Sequence, residues 1–146
     1  MIDEFRFSEL RSRATLGYPG FYEILLNSGT PLKCGIASNL FERLRDHGAS
    51  RQSGLKLKDK GNWSRPSDVK SKKSILAKHL YFDEQIAPSY NLKIQGERQR
   101  FLEECCKVRV RITESIESAR ALERDAEASG AYRYVGSVLL RSTGER

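Results

Sequence analysis

Four side chains in the first third of the chain combine proton-transfer and cationic chemistry. Tyr22 and Lys33 lie in two short apolar segments, and Arg43 and His47 follow, four positions apart. A guanidinium grips phosphate oxygens through a planar fork of donors, and an imidazole can donate to the same oxygens or orient a neighbouring group. A phenol accepts a proton from water only when its pKa falls from about 10. These residue types suit chemistry on a phosphate ester.

The segments that carry Tyr22 and Lys33 are predicted to pair as an antiparallel hairpin. Residues 21–26 and 32–37 are rich in aromatic and aliphatic side chains, which favours strands. The turn residues of 27–31 separate the two runs. Tyr22 therefore begins the first strand, and Lys33 lies on the second.

Residues 39–47 are predicted to form a helix that carries Arg43 and His47. Ser38 precedes the segment as a candidate N-cap, Gly48 follows it as a stop, and apolar residues recur inside it at helical spacing. A separation of four residues places Arg43 and His47 on one helix face, beside the apolar stripe rather than within it. Both side chains are therefore expected to face one site.

The remaining regular elements are predicted from periodicity: helices over 75–88, 95–105 and 114–129, and a strand over 107–113. Glu123 lies in the middle of the last helix, next to its buried stripe. Residues 131–140 fit either a strand or a terminal helical turn. The segment 49–67 lacks periodicity and is expected to be a mobile surface loop.

Composition and length indicate one folded domain over residues 1–146, with 1–16 as an N-terminal extension and 49–73 as a basic loop insertion. Hydrophobic residues make up 38% of the chain and charged residues 31%. No run approaches the roughly 20 apolar residues that span a bilayer, so no membrane association is expected. Three cysteines without metal-binding spacing favour a reducing cytoplasm and argue against structural zinc.

Positive charge is concentrated in one segment. Residues 51–73 contain eight Lys or Arg against two Asp, and so carry most of the net charge of +7. Such an excess attracts polyanions, mainly by releasing counterions from nucleic acid. A solvated surface segment and a DNA backbone clamp explain this composition about equally well. The candidate nucleic-acid contacts are Lys56, Lys58, Lys60, Trp63, Arg65, Lys70, Lys72 and Lys73.

The order and spacing of these residues resemble the GIY-YIG nuclease superfamily. The first motif is matched by Gly20-Phe21-Tyr22 and the second by Lys33-Cys34-Gly35, followed by Arg43 and His47 and, much later, by Glu123. The second motif has Lys33 where the family name has tyrosine, which is similar to a branch that includes some restriction endonucleases. The family commonly carries an Asn after the Glu, and none follows Asn91 here; Tyr132 or Tyr134 are candidates to fill that role.

The resemblance implies a layered α/β fold, with a central, mostly antiparallel three-stranded sheet flanked by helices. It further implies a metal-dependent DNA endonuclease of restriction, repair or mobile-element type. Tyr22 would be the general base, assisted by Lys33 as the cation that lowers its pKa. Arg43 would contact the phosphate, and His47 would either donate to the same phosphate or orient Tyr22. Glu123 would hold a single Mg²⁺ or Mn²⁺ ion, and no small-molecule cofactor is expected.

Two other functions remain open at this point. Lys33 and the missing Asn would also suit a catalytically inactive GIY-YIG-fold protein that binds nucleic acid. The high positive charge alone would suit an RNA-associated or ribosome-associated basic protein, for which the five positions carry no meaning. A homodimer is left open, and the sequence does not indicate a recognition site.

Overall fold

The structure is a computed structural model that describes residues 2–71 and 75–135. Its main sheet has four strands in the order β1-β6-β2-β3, and every pairing is antiparallel. A separate two-stranded hairpin pairs β4 with β5. The regular elements in chain order are β1 (Ile2–Arg6), β2 (Gly20–Leu26), β3 (Pro31–Ala37), α1 (Leu40–Ala49), β4 (Leu55–Leu57), β5 (Val69–Ser71), α2 (Ile75–Phe82), α3 (Gln95–Cys105), β6 (Cys106–Ile112) and α4 (Ile116–Ala128).

The α/β class and the antiparallel sheet flanked by helices are confirmed, and β2, β3 and β6 begin and end within one residue of their predicted limits. The predicted number of strands is wrong, because residues 2–6 add a fourth strand beside β6. The 3-10 turn Phe7–Arg13 follows it. Phe5, Phe7 and Leu10 fill the main core, so this segment is part of the folded sheet rather than an appended extension.

The two faces of the main sheet are covered by different helices, because successive strand residues point to opposite sides. Tyr22 faces the main core, which also contains Leu44 of α1 and Phe101 of α3. Phe21 faces the other way and packs with Ala119 of α4. Among the described residues, no helix is long and apolar enough to cross a membrane.

The helix ends are set by local hydrogen bonds. Asn39, rather than Ser38, caps α1, and its side-chain oxygen accepts from the Glu42 N–H (3.1 Å). The second helix was predicted to reach Pro88 but ends at Phe82. The Asp83 carboxylate accepts from the backbone N–H groups at positions 85 and 86 (3.0 and 3.1 Å), which turns the chain away from the helix axis.

The predicted basic loop insertion, residues 49–73, contains the β4–β5 hairpin, and β4 lies within the part predicted to be an aperiodic mobile loop. Leu55 and Val69 lie on its inner face and form a small apolar cluster with Ala77 of α2. The hairpin is short, three residues per strand, so the period-2 signal is too brief to detect among the polar residues around it. Packing against α2 supplies the stabilisation that a hairpin of this length lacks alone.

Arg98 of α3 fixes the root of the hairpin to the end of α1. The side chain is fully buried, and it donates to the Ser50 hydroxyl (2.9 Å), the Ser50 carbonyl (2.8 Å), the Leu92 carbonyl (3.1 Å) and the Gln52 side chain (3.0 Å). All four acceptors are uncharged. Burial lowers the pKa of Arg98 to about 10, and the four acceptors replace the water that the guanidinium gives up.

Replacement of Arg98 by Ala is expected to lower the free energy of unfolding by about 3 kcal/mol, because it leaves a cavity and buried acceptors without donors. Urea unfolding measures this loss. Arg100→Ala is the matched control on the same helix, since Arg100 is exposed and bonded to Glu97 and Glu104. Equal losses in the two variants would contradict the anchoring role of Arg98.

Candidate active site

Tyr22, Arg43 and His47 are in direct contact at the junction of β2 and α1. The Tyr22 hydroxyl lies 2.6 Å from Nε2 of His47, and the rings are tilted with centroids 5.4 Å apart. Arg43 is hydrogen-bonded to the Tyr22 hydroxyl. Tyr22 is 1% exposed and His47 is fully buried, so the pair is closed to bulk water.

The prediction that His47 lies beside the apolar stripe of its helix is wrong. Leu40, Leu44 and His47 are spaced by four and three residues, and all three are buried. This spacing continues a single helical stripe toward the core. Arg43 lies on the neighbouring flank and keeps part of its surface exposed.

A glycine makes room for the phenol. Gly35 of β3 pairs with Tyr22 across the sheet, and a Cβ atom built on Gly35 would lie 2.4 Å from the Tyr22 hydroxyl oxygen and 2.6 Å from Cζ. No heavy atom tolerates such distances without moving. The ring of Tyr22 therefore lies directly over the backbone of Gly35 and extends towards His47. A side chain at position 35 would collide with the ring, so this contact requires a glycine there.

Burial sets the protonation states of the pair. It raises the pKa of Tyr22 to about 12, while Arg43 acts in the opposite direction and Glu123 adds to the rise. Burial also lowers the pKa of His47 well below its usual value, and the positive charges of Arg43 and Lys33 lower it further. At neutral pH the phenol is protonated and the imidazole is neutral. The expected lowering of the Tyr22 pKa by Lys33 is wrong: Arg43 is the opposing cation, and desolvation exceeds its effect.

Lys33 and Glu123 join the site through their charges. Lys33 is 8% exposed, and its ammonium donates to the Cys34 carbonyl (3.4 Å). Burial lowers its pKa, with Arg43 acting in the same direction and Glu123 opposing. Glu123 comes from α4, on the other face of the sheet, yet its charge acts on both Tyr22 and Lys33. Tyr22, Arg43 and His47 are thus joined by contacts, whereas Lys33 and Glu123 are related to them only through the effects of their charges on pKa values.

Glu127 is a further candidate residue that the sequence analysis did not single out. It lies one helical turn after Glu123 and acts on the same groups: burial raises the pKa of Glu123, and Glu127 raises it further. The spacing of four residues was the available signal. In residues 2–71 and 75–135, no group of three or more His, Cys, Asp or Glu side chains is arranged to hold a metal ion.

The tyrosines considered as substitutes for the family's late Asn have other partners. The Tyr132 hydroxyl donates to the Glu23 carboxylate, and the Tyr134 hydroxyl donates to Asp83 (2.7 Å). Neither carboxylate belongs to the five-residue site. The two phenols instead tie the chain after α4 to the sheet and to the end of α2.

The predicted nucleic-acid contacts that the structure describes lie on the β4–β5 hairpin and its connecting loop, and all are exposed: Lys56, Lys58, Lys60, Trp63, Arg65 and Lys70. Lys72 and Lys73 lie outside the described residues. Among these described cations, Lys58 forms an ion pair within the hairpin, because its ammonium lies 3.7 Å from the Asp68 carboxylate.

No protein-family model matches this chain, and neither a curated protein nor a solved structure matches it. The resemblance to GIY-YIG nucleases consequently rests on residue types and on their order and spacing in the sequence.

Substitution of Gly35 by Ala is expected to lower the free energy of unfolding by about 1–3 kcal/mol, because the new methyl group overlaps the Tyr22 ring. In a Tyr22→Leu background the same substitution should cost less, and a double-mutant cycle by urea unfolding measures the difference. Gly54→Ala is the control, as nothing lies within 4 Å of its added Cβ. The steric account fails if Gly35→Ala costs the same in both backgrounds.

A second prediction follows from the low pKa of His47. The ordinary pKa of histidine is 6.5. Below this pH, His47 of the unfolded chain binds a proton, whereas His47 of the folded chain does not. The contribution of His47 to stability is therefore fully present above pH 6.5 and is lost below it. We expect wild-type protein to lose about 1 kcal/mol more than His47→Gln between pH 7.5 and 5.5. Titrations shared by both proteins cancel in this comparison. Identical pH dependence would show that His47 titrates normally.

Proposed function

We propose that this protein is a metal-dependent endonuclease that hydrolyses phosphodiester bonds in DNA, with a GIY-YIG-like layered fold. The observation that carries the proposal is the buried contact between the Tyr22 hydroxyl and Nε2 of His47, with Arg43 bonded to the same phenol. One partner already satisfies the hydrogen-bonding need of a buried phenol, and a second ionisable partner at the same oxygen adds a group that can tune its proton affinity. Proton transfer requires such an arrangement.

The pair offers a route for the proton of an attacking water. When a neutral Nε2 accepts the Tyr22 O–H, the phenol oxygen can take the proton of water as its own proton moves to His47. This relay needs no free phenolate, which agrees with the pKa of about 12. The water loses one proton, Tyr22 ends as it began, and His47 carries the charge.

Bound phosphate would make His47 a stronger base. Arg43 and Lys33 help to hold its pKa low through their positive charges. A phosphate group placed beside these cations offsets that repulsion, so the imidazole pKa rises when substrate is present. Arg43 suits a bidentate grip on the non-bridging oxygens, and Lys33 adds charge where the transition state becomes more negative.

Glu123 fits the role of a ligand for one Mg²⁺ or Mn²⁺ ion. It is half-buried, and the repulsion from Glu127 raises the pKa of its carboxyl; a divalent cation would relieve that repulsion. Hard cations of this kind bind one or two carboxylates together with phosphate and water. When bound, the ion supplies Lewis-acid stabilisation of the leaving oxygen.

A catalytically inactive nucleic-acid-binding protein is the second candidate. The observation that favours it is the near-complete burial of Tyr22, since a general base must reach the water that it deprotonates. The DNA contacts would be the same in both cases. The buried contact between Tyr22 and His47, and the effect of the Glu123 charge on the pKa of Tyr22, support the enzyme over a basic protein in which these positions carry no role.

Purified protein with supercoiled plasmid and Mg²⁺ tests the proposal. We expect nicking or linearisation by wild type and a loss of at least about 100-fold in Tyr22→Phe, Arg43→Met and Glu123→Gln, as removal of a proton-transfer or charge-stabilising group costs this much. Arg45→Ala and Glu117→Gln are matched controls, because both residues are exposed on the same helices. The controls should retain activity.

Equal cutting by all variants would indicate contamination and remove the proposed site. Plasmid binding without any cutting, over a range of DNA sequences and with either metal, would instead favour the inactive binding protein.

A further inference from the structure

The β4–β5 hairpin has one apolar face and one cationic face. Leu55 and Val69 pack inward against α2, whereas Lys56 and Lys70 are directly opposite each other across the two strands and are both exposed. Like charges in directly opposed positions repel and weaken strand pairing. An anionic partner that contacts both ammonium groups would remove this repulsion.

The loop that joins β4 to β5 is held by its own hydrogen bonds. The Asp68 side chain accepts from the Asn62 N–H (2.9 Å), and the Asn62 side chain accepts from the Ser64 N–H (2.9 Å). Backbone bonds link Lys58 to Asp68 (2.8 Å) and Arg65 to Asn62 (3.0 Å). A loop ordered in this way presents its side chains at low entropic cost.

Trp63, the only tryptophan of the chain, lies on this loop with 38% of its surface exposed. Its indole is supported by the ring of Tyr81 at a centroid distance of 5.8 Å. Tyr81 is in turn packed on Phe82 (4.8 Å) and lies under the Lys93 ammonium (4.7 Å). The indole is thus a supported aromatic surface with one part open to solvent. It lies on the loop between the two strands, whereas Lys56 and Lys70 lie on the strand face opposite the one that packs against α2.

We propose that the hairpin and its loop bind a single DNA strand, with an unpaired base stacked on Trp63 and the strand's phosphates contacted by Lys56 and Lys70. The exposed aromatic ring on the loop and the cations on the strands match the two chemical features of a nucleotide strand, its base faces and its phosphates. Bases inside a duplex already stack on each other, so they offer no free face. The inference rests on the proposed function and narrows its substrate to DNA with unpaired bases, such as a flap, a branch or an open end.

The fluorescence of Trp63 can report DNA binding directly, because stacking of a base quenches indole fluorescence. Wild-type protein in EDTA is titrated with a 12-nucleotide oligothymidylate and, separately, with a closed hairpin duplex of the same strand length. We expect quenching by the single strand and at least about ten times weaker binding of the duplex. EDTA excludes metal-dependent cutting, so the titration tests binding alone.

Labelled oligothymidylate and anisotropy extend the test to variants. Trp63→Leu should bind about tenfold more weakly, as loss of one stacked base predicts, and Trp63→Phe should recover part of the affinity. Lys56→Ala combined with Lys70→Ala should reduce the slope of log affinity against log salt by about 1.4, or roughly 0.7 per phosphate contact. Arg100→Ala, with its carboxylate partners on α3, is the control and should leave the slope unchanged.

Equal quenching by duplex and single strand, or an affinity that does not depend on Trp63 in a variant with unchanged thermal unfolding, would overturn the inference. The plasmid assay separates this result from the proposed nuclease activity. Cutting without preference for single strands would refute only the single-strand surface. Single-strand binding without cutting would refute only the nuclease.

Discussion

The contact between the Tyr22 phenol and the His47 imidazole depends on three neighbouring elements at once. The ring can cross β3 only because Gly35 has no side chain, and it meets His47 only because the apolar stripe of α1 continues through that residue. Burial then fixes a protonated phenol beside a neutral imidazole. A change at Gly35, in the apolar stripe of α1 or in the position of Tyr22 would separate the phenol oxygen from Nε2 of His47. Each polar atom would then be buried without the other as its hydrogen-bond partner, which lowers the stability of the fold.

Charged side chains of both signs come from the elements around this contact. Arg43 is bonded to the phenol, Lys33 lies on the adjacent strand, and Glu123 and Glu127 approach from the helix on the other face. Cations and carboxylates therefore flank a neutral hydrogen-bonded pair. A phosphate ester that neutralises the cations, together with a metal held by the carboxylates, would satisfy every group of this set.

The hairpin and the candidate site are connected through the end of α1. Arg98 binds Ser50, which follows that helix directly, and also Gln52 at the start of the hairpin segment. The same helix carries Arg43 and His47. A DNA strand held by the hairpin would therefore contact an element whose position relative to the catalytic groups is fixed by a buried guanidinium rather than by a loose linker.

Much of the fold could be predicted from local pattern. The limits of β2, β3, β6 and α3 agree with the structure to within a residue. Turn residues separate the apolar runs of β2 and β3, and apolar and charged residues alternate along β6. β1 and the β4–β5 hairpin were missed because each is short and mixes charged residues with few apolar ones. Packing against the main core stabilises β1, and packing against α2 stabilises the hairpin. Neither contact can be recognised from the short stretch of sequence that forms the strand.

The sequence alone determined which residues are candidates for the proposed chemistry, since residue type and spacing are written in it: a phenol, an amine, a guanidinium, an imidazole and a carboxylate in a fixed order. Only the tertiary structure decided how these groups behave. The pKa of Tyr22 rises rather than falls, His47 is buried rather than flanking, and Glu127 joins Glu123. Protonation depends on desolvation and on charges that are distant in the chain, and both exist only after folding.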